Sequence, residues 1–261
     1  MMMSVTSKDS TAIAYARSGQ GPPLVVVHGT AADHTRWAPI LDTLEQQFTV
    51  YAVDRRGRGA SGDSAVYSIE REFDDVTAVV NSIGEPVVLL GHSCGAVCSL
   101  EAALRTNRVR KLVLYEPPIP CGLPIYAPGV IKRLQGLLDQ GDKAGVVASF
   151  FTEVVSMTVA ELKMLQSLPN WQARVAGAHT IPRELWELQG YRLDSARFKA
   201  FKTPTLLLLG GASPAFFGAA IDAVHAALTS SRVVILPGQQ HVAMNTATEM
   251  FLREVLAFLA D

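Results

Sequence analysis

The segment Pro86 to Cys98, PVVLLGHSCGAVC, restricts the fold more than any other stretch of the chain. Val87-Val88-Leu89-Leu90 is an apolar run of strand length. It leads directly into Gly91-His92-Ser93-Cys94-Gly95, and AVCSLEAAL follows with the composition of a helix. A strand that stops abruptly before a helix that begins at once forces the apex residue, Ser93, into a strained backbone conformation. Glycines two before and two after the apex let strand and helix pass close together. G-x-S-x-G alone is a weak pattern. In this context it sets an exposed serine at the carboxyl edge of a sheet.

The rest of the chain repeats the same alternation. Val5 to Gly19 alternates around the turn Lys8-Asp9-Ser10 and predicts a hairpin. Leu24 to Val27 is continuously apolar, as in a strand buried on both faces, and ends in His28-Gly29-Thr30. A helix follows through Trp37, Ile40, Leu41 and Leu44. Phe48 to Val53 is a strand ending in Asp54, and Ile69 to Ile83 a helix stopped by Gly84 and Pro86. Val109 to Tyr115 is a strand ending in Glu116-Pro117-Pro118. Thr205 to Leu209 and Val233 to Leu236 are strands, and Phe216 to Leu228 and Glu249 to Leu259 helices. Strands alternating with helices predict a mostly parallel sheet covered on both faces.

Residues 120–202 break the rhythm. They carry no convincing strand and read as helices over Val130 to Leu138, Lys143 to Met157, Val159 to Leu168, Trp171 to Ala178 and Arg183 to Leu188, with Asp142 and Thr158 as N-caps. A helical insertion between two strands is most simply a cover over the carboxyl edge of the sheet, where the sites of open α/β sheets lie. Arg133, Arg174, Arg183 and Arg192 of this insertion read as solvated helix charges rather than as an anion-binding set.

Composition removes several function classes. The 261 residues, 49% of them hydrophobic, suit a large α/β domain with an insertion. A net charge of −1, with lysines and arginines scattered, lacks the basic footprint of a nucleic-acid binder. No basic stretch followed by an apolar one opens the chain, and no apolar run approaches ~20 residues. The expectation is a cytoplasmic protein without membrane association. Cys94, Cys98 and Cys121 form no C-x-x-C pair and read as reduced thiols, and no histidine is spaced to complete a metal site with them. Gly57 to Gly62 spells G-x-G-x-x-G, but Asp63 to Ser68 separates it from the next helix, which argues against a dinucleotide fingerprint.

His28-Gly29-Thr30, Asp54-Arg55-Arg56-Gly57-Arg58-Gly59-Ala60-Ser61, Gly91-His92-Ser93-Cys94-Gly95 and Gly238-Gln239-Gln240-His241 together resemble the α/β-hydrolase family over essentially the whole chain. The resemblance implies an α/β fold with an eight-stranded, mostly parallel sheet. The core would comprise residues 1–119 and 203–261, and residues 120–202 a helical cap. Ser93 is then the nucleophile and His241 the base that takes its proton. His28 and His92 support loops, and His34, His179 and His225 are structural. The backbone N–H groups of Thr30 and Cys94 form the oxyanion hole.

The acid departs from the common pattern. Most of the family places an aspartate in G-x-x-D after the strand here ending at Leu209-Gly210, where this chain has Ser213. Relatives such as haloalkane dehalogenases place it one strand earlier, which here is Glu116. Asp222 lies within a helix and is a poorer candidate. Cys121, Leu123, Tyr126, Phe150 and Trp186 are expected to line an apolar substrate pocket. The implied function is a cofactor-free, metal-free serine hydrolase, monomeric or homodimeric. It would cleave a carboxylic ester, lactone or thioester of a small molecule with an apolar moiety, through an acyl-enzyme on Ser93. The same fold also hosts carbon–carbon bond hydrolases and cofactor-free perhydrolases. The missing acid at Ser213 leaves room for a weakly active or inactive ligand-binding or receptor protein.

Overall fold

A computed structural model describes residues 1–260. The chain opens with β1 (Met2–Thr6), β2 (Ala12–Gly19) and β3 (Pro23–Val27), followed by α1 (Ala38–Glu45) and β4 (Thr49–Val53). Next come α2 (Ile69–Ser82), β5 (Val87–His92), α3 (Cys94–Ala103) and β6 (Val109–Tyr115). Between β6 and the next strand lie only helices: α4 (Val130–Asp139), α5 (Lys143–Ser149), α6 (Val159–Gln166), α7 (Trp171–Ala176) and α8 (Thr180–Gly190), with short turns between them. The chain finishes with β7 (Thr205–Gly210), α9 (Ala215–Ala227), β8 (Ser231–Leu236), α10 (Ala243–Thr246) and α11 (Thr248–Ala260).

The eight strands form one sheet in the order β1-β2-β4-β3-β5-β6-β7-β8. The β2 strand runs antiparallel to β1 and β4, and every other neighbouring pair is parallel. The central strands read as continuous apolar runs because both of their faces are buried. Val25, Val27 and Leu89 join a core with residues of α2, α3 and α9. Their alternates Leu24, Val26, Val88 and Leu90 join a second core with residues of α1 and α11. The five helices between β6 and β7 carry a third cluster of their own, including Leu134, Val147, Phe150 and Ile181.

Two of the helix caps follow the sequence closely. Asp142 accepts from the Gly145 amide at 2.8 Å, and Thr158 forms a reciprocal capping box with Glu161. One helix differs from expectation. Lys143 to Met157 reads as a single helix, but the α-helix ends at Ser149 and continues as a π-helical turn over Phe150–Val154. The wider turn lets the consecutive rings of Phe150 and Phe151 both bury, 5.2 Å apart and edge to face. Side-chain periodicity does not register such a local expansion. Among the described residues no helix is long and apolar enough to cross a membrane.

Candidate active site

Ser93 joins β5 to α3 with φ of 57° and ψ of −128°, a strained region for a residue with a Cβ. The flanking glycines make the junction sterically feasible. A Cβ on Gly91 would lie 2.4 Å from the Gly95 carbonyl oxygen, and one on Gly95 would lie 2.3 Å from that of Val27. The Ser93 amide is tied to the Tyr115 carbonyl at 2.9 Å, which fixes the apex to the neighbouring strand end. Cys94 begins α3, so its N–H has no acceptor within the helix.

The next strand end carries a second strained residue. Glu116 follows β6 with φ of 48° and is fully buried. Its Oε1 accepts from the Gly210 amide at 2.6 Å, and its Oε2 accepts from Nδ1–H of His241 at 2.6 Å. Both oxygens of a buried carboxylate are therefore satisfied. The donor at Gly210 closes the strand whose following loop carries Ser213 in place of an aspartate. Ser213 itself keeps a buried hydroxyl with no hydrogen-bond partner, and its amide donates to the Gly210 carbonyl at 3.0 Å.

The His241 ring lies between two others. Phe217 stacks on it at 4.5 Å, and His92 lies 4.6 Å away. The Nε2–H of His92 donates to the His241 carbonyl at 2.8 Å. Burial, reinforced by the charges of His241 and Arg36, pushes the His92 pKa well below the usual histidine range, so this ring stays neutral. Tyr115 holds the same loop, donating its hydroxyl to the Gln240 carbonyl and accepting from the Ala243 amide at 3.1 Å. With Nδ1 committed to Glu116, the Nε2 of His241 is left for the cavity that Ser93 also borders. The structure draws no hydrogen bond between Ser93 Oγ and His241. Contacts of this kind often tighten only when substrate is bound.

The cavity has two lobes that share Thr30, Ser93, Phe150, Val155 and His241. The larger, about 300 Å³, is walled by Tyr126, Leu185 and Leu188 of the helical segment and by Pro214, Phe216 and Phe217 after β7. The smaller, about 90 Å³, is bordered by Arg36, Phe151, Met157 and Arg174. Of the expected pocket residues, Tyr126 and Phe150 line the larger lobe. Three do not. Cys121 packs against the core next to the sheet. Leu123 and Trp186 face an outer groove and are 44% and 66% exposed. Proximity to Glu116 in sequence, or aromatic character alone, does not reveal which side of a short helix faces inward.

A buried charge cluster fastens the helical segment above this cavity. Arg55 donates to Glu72 at 2.7 Å and pairs with Glu184 of α8 at 3.0 Å, and Arg58 pairs with the same Glu184. Glu184 also accepts from the Thr30 hydroxyl, so at Thr30 the backbone amide, not the side chain, is left for the cavity. Burial raises the pKa of Glu184, but the charges of Arg55 and Arg58 outweigh it and hold the group down to about 2. His28 is buried and neutral, with Nδ1–H donating to the Gly29 carbonyl at 2.7 Å and Nε2 accepting from the Arg55 amide at 3.1 Å. Arg55 also lies 3.0 Å from the Cys94 sulfur, yet burial raises that thiol's pKa well above its usual value and keeps it protonated. The remaining histidines have local partners: His34 with Asp54 at 2.8 Å, His179 with Asp63 at 3.1 Å, and His225 with Ser231 at 2.8 Å.

Sequence reasoning missed Tyr115, Phe216, Phe217 and Arg36. Only Phe216-Phe217 carried a local signal, an aromatic pair immediately after the β7 strand end. The profile of the alpha/beta hydrolase family matches residues 24–254. The chain is 34% identical to an alpha/beta hydrolase of known structure from Sphaerobacter thermophilus, with a TM-score of 0.85 covering 98% of this chain and all of the other. It is 22% identical over 252 residues to the 2-(acetamidomethylene)succinate hydrolase of Mesorhizobium japonicum, covering 92% of this chain and 89% of the relative. It is 30% identical over 131 residues to the N-formylmaleamate deformylase of Pseudomonas putida, 46% of this chain and 49% of that protein.

Proposed function

The chain belongs to the alpha/beta hydrolase family, and we propose that it is a serine hydrolase cleaving a carboxylic ester, or a related lactone or thioester, through an acyl-enzyme on Ser93. The observation that carries this reading is the buried Glu116 carboxylate 2.6 Å from Nδ1 of His241, whose ring borders the same cavity as the strained Ser93. A serine hydroxyl is a poor nucleophile until a base takes its proton. Nε2 of His241 is the base, and Glu116 fixes its tautomer and stabilises the imidazolium that forms. As Ser93 Oγ bonds to the carbonyl carbon, charge develops on the carbonyl oxygen. The N–H groups of Cys94 and Thr30 receive it. The imidazolium then protonates the leaving oxygen or sulfur, and water attacks the acyl-enzyme by the reverse route. The larger, apolar lobe takes the apolar part of the substrate. The names of two relatives, a substituted succinate hydrolase and an N-formylmaleamate deformylase, support a small acid derivative as substrate.

A fluorophosphonate probe tests the reading. Rapid labelling confined to Ser93, abolished in Ser93→Ala and strongly slowed in His241→Ala, is expected, together with turnover of short-chain 4-nitrophenyl esters. A folded protein that neither labels nor turns over any ester of such a panel refutes it.

A further inference from the structure

Interior arginines in this protein meet carboxylates. Arg55 pairs with Glu72 and Glu184, Arg56 with Asp75 and Asp9, and Arg58 with Glu184. The two arginines bordering the smaller lobe do not. Arg36, on the turn His34–Trp37, donates to the Asn245 side-chain oxygen and the Met244 sulfur. Arg174, on α7, donates one Nη1–H to the Ala31 carbonyl and lays its guanidinium 5.6 Å from the Phe151 ring centre. Its Nε is buried without a hydrogen-bond partner. Among the described residues neither guanidinium forms an ion pair with a carboxylate. Asp33 acts on Arg174 through charge alone, and its Oδ1 accepts from the amide and hydroxyl of Thr35 at 2.9 and 2.5 Å.

The two cations also feel each other. Burial, and then the charge of Arg174, lowers the Arg36 pKa to about 10, which leaves it charged at neutral pH. Like charges in a shared, partly dry cleft are unfavourable, and an unsatisfied buried donor costs about 1–3 kcal/mol. A carboxylate between them relieves both, and planar guanidinium groups match its geometry. The lobe borders Ser93, is lined by Phe151, Met157 and Leu165 besides the two cations and, at about 90 Å³, is small.

We propose that the smaller lobe is a carboxylate subsite: the substrate is an acid whose carboxylate sits between Arg36 and Arg174 while its scissile carbonyl lies at Ser93 and its remaining part fills the apolar lobe. This rests on the hydrolase reading above. The two cations come from opposite walls, Arg36 from the segment after β3 and Arg174 from the helical segment, so the bound carboxylate also bridges those walls.

The test compares the mono-4-nitrophenyl ester of glutaric acid with 4-nitrophenyl valerate, its neutral counterpart of similar length. The wild-type protein is expected to favour the acid in kcat/KM by at least about tenfold, and Arg174→Gln and Arg36→Gln to lower that preference by about 10–100-fold, mainly through KM. Arg174→Lys retains part of the preference because the charge remains. Arg133→Gln, on the exposed face of α4 against Glu153, leaves it intact. A wild-type protein with no preference for the acid overturns the subsite, as does a preference that survives both glutamine variants. Turnover of the neutral ester reports on the hydrolase reading separately. If neither ester is cleaved, glutarate and glutaramide decide the subsite by thermal shift. Stabilisation of the wild-type protein by glutarate alone, lost in Arg174→Gln, supports it, and equal or absent shifts overturn it.

Discussion

The two walls of the Ser93 cavity are built on different terms. On the sheet side, the acid, the histidine loop and the serine backbone are each pinned by a partner from another strand end. Glu116 is held between the Gly210 amide and His241, the His241 loop is held by His92 and Tyr115, and the Ser93 amide is tied to β6. On the helical side, the loop before α4, a π-helical turn and α8 present Tyr126, Phe150, Leu185 and Leu188, and the buried ion cluster around Glu184 fastens α8 to the core. A wall held by short hydrogen bonds between strand ends has little freedom to repack, so errors there cost rate. A wall of apolar side chains can readjust, so errors there cost selectivity.

That contrast is open to attack by substitution. Ser93→Ala strikes the rigid wall hardest, with kcat for an ester falling on the order of 10⁶-fold in steady-state assays. Substantial residual turnover dependent on His241 would mean that another nucleophile serves the site. Glu116→Gln keeps the shape and the Gly210 contact but removes the charge, and a loss of about 10³–10⁴-fold in kcat is expected, with KM little changed. Wild-type rates would assign the acid elsewhere. On the opposite wall, Phe150→Ala or Leu185→Ala is expected to change kcat/KM by about 10–200-fold, with the sign depending on acyl size and most of the effect in KM. If either abolished kcat across an ester series, the division of labour between the walls would collapse.

The smallest expected effect concerns the fastening itself. Glu184 has a folded pKa near 2, below its unfolded value of about 4.3. Its contribution to stability is therefore present above about pH 4.3 and fades as the pH falls towards 2. A melting temperature that declines by several degrees across that window, with a shallower decline in Glu184→Gln, is the expected calorimetric result. Parallel curves would place the acid sensitivity at other carboxylates.

The rigid wall was the more legible in sequence. A strand, a tight turn and a helix that must meet at Ser93 leave a pattern within ten residues, and His241 and Glu116 follow recognisable strand ends. The alternation of elements likewise yields the sheet, because apolar runs buried on both faces have few other uses. What escaped notice depends on contacts between distant segments. Arg174 reads as a surface charge because nothing nearby in sequence records that its helix turns it towards Arg36, 138 positions earlier (174 − 36). Leu123 and Trp186 were drawn inward by their apolar character, yet both face an outer groove. Phe217 reads as ordinary helix core, and only the folded chain stacks it on His241.

The seat of the Glu116 carboxylate has a consequence for how such a scaffold diversifies. Because the negative charge sits after β6 and draws only a main-chain amide from Gly210, the loop after β7 is released from supplying it. Ala212, Ser213 and Pro214 of that loop line the larger lobe instead. Replacing them would reshape what the cavity admits without disturbing the proposed relay from Glu116 through His241, since an amide contact survives any side chain that preserves the backbone. A protein arranged in this way can exchange one clientele for another through a single loop, while the reaction itself is inherited unaltered.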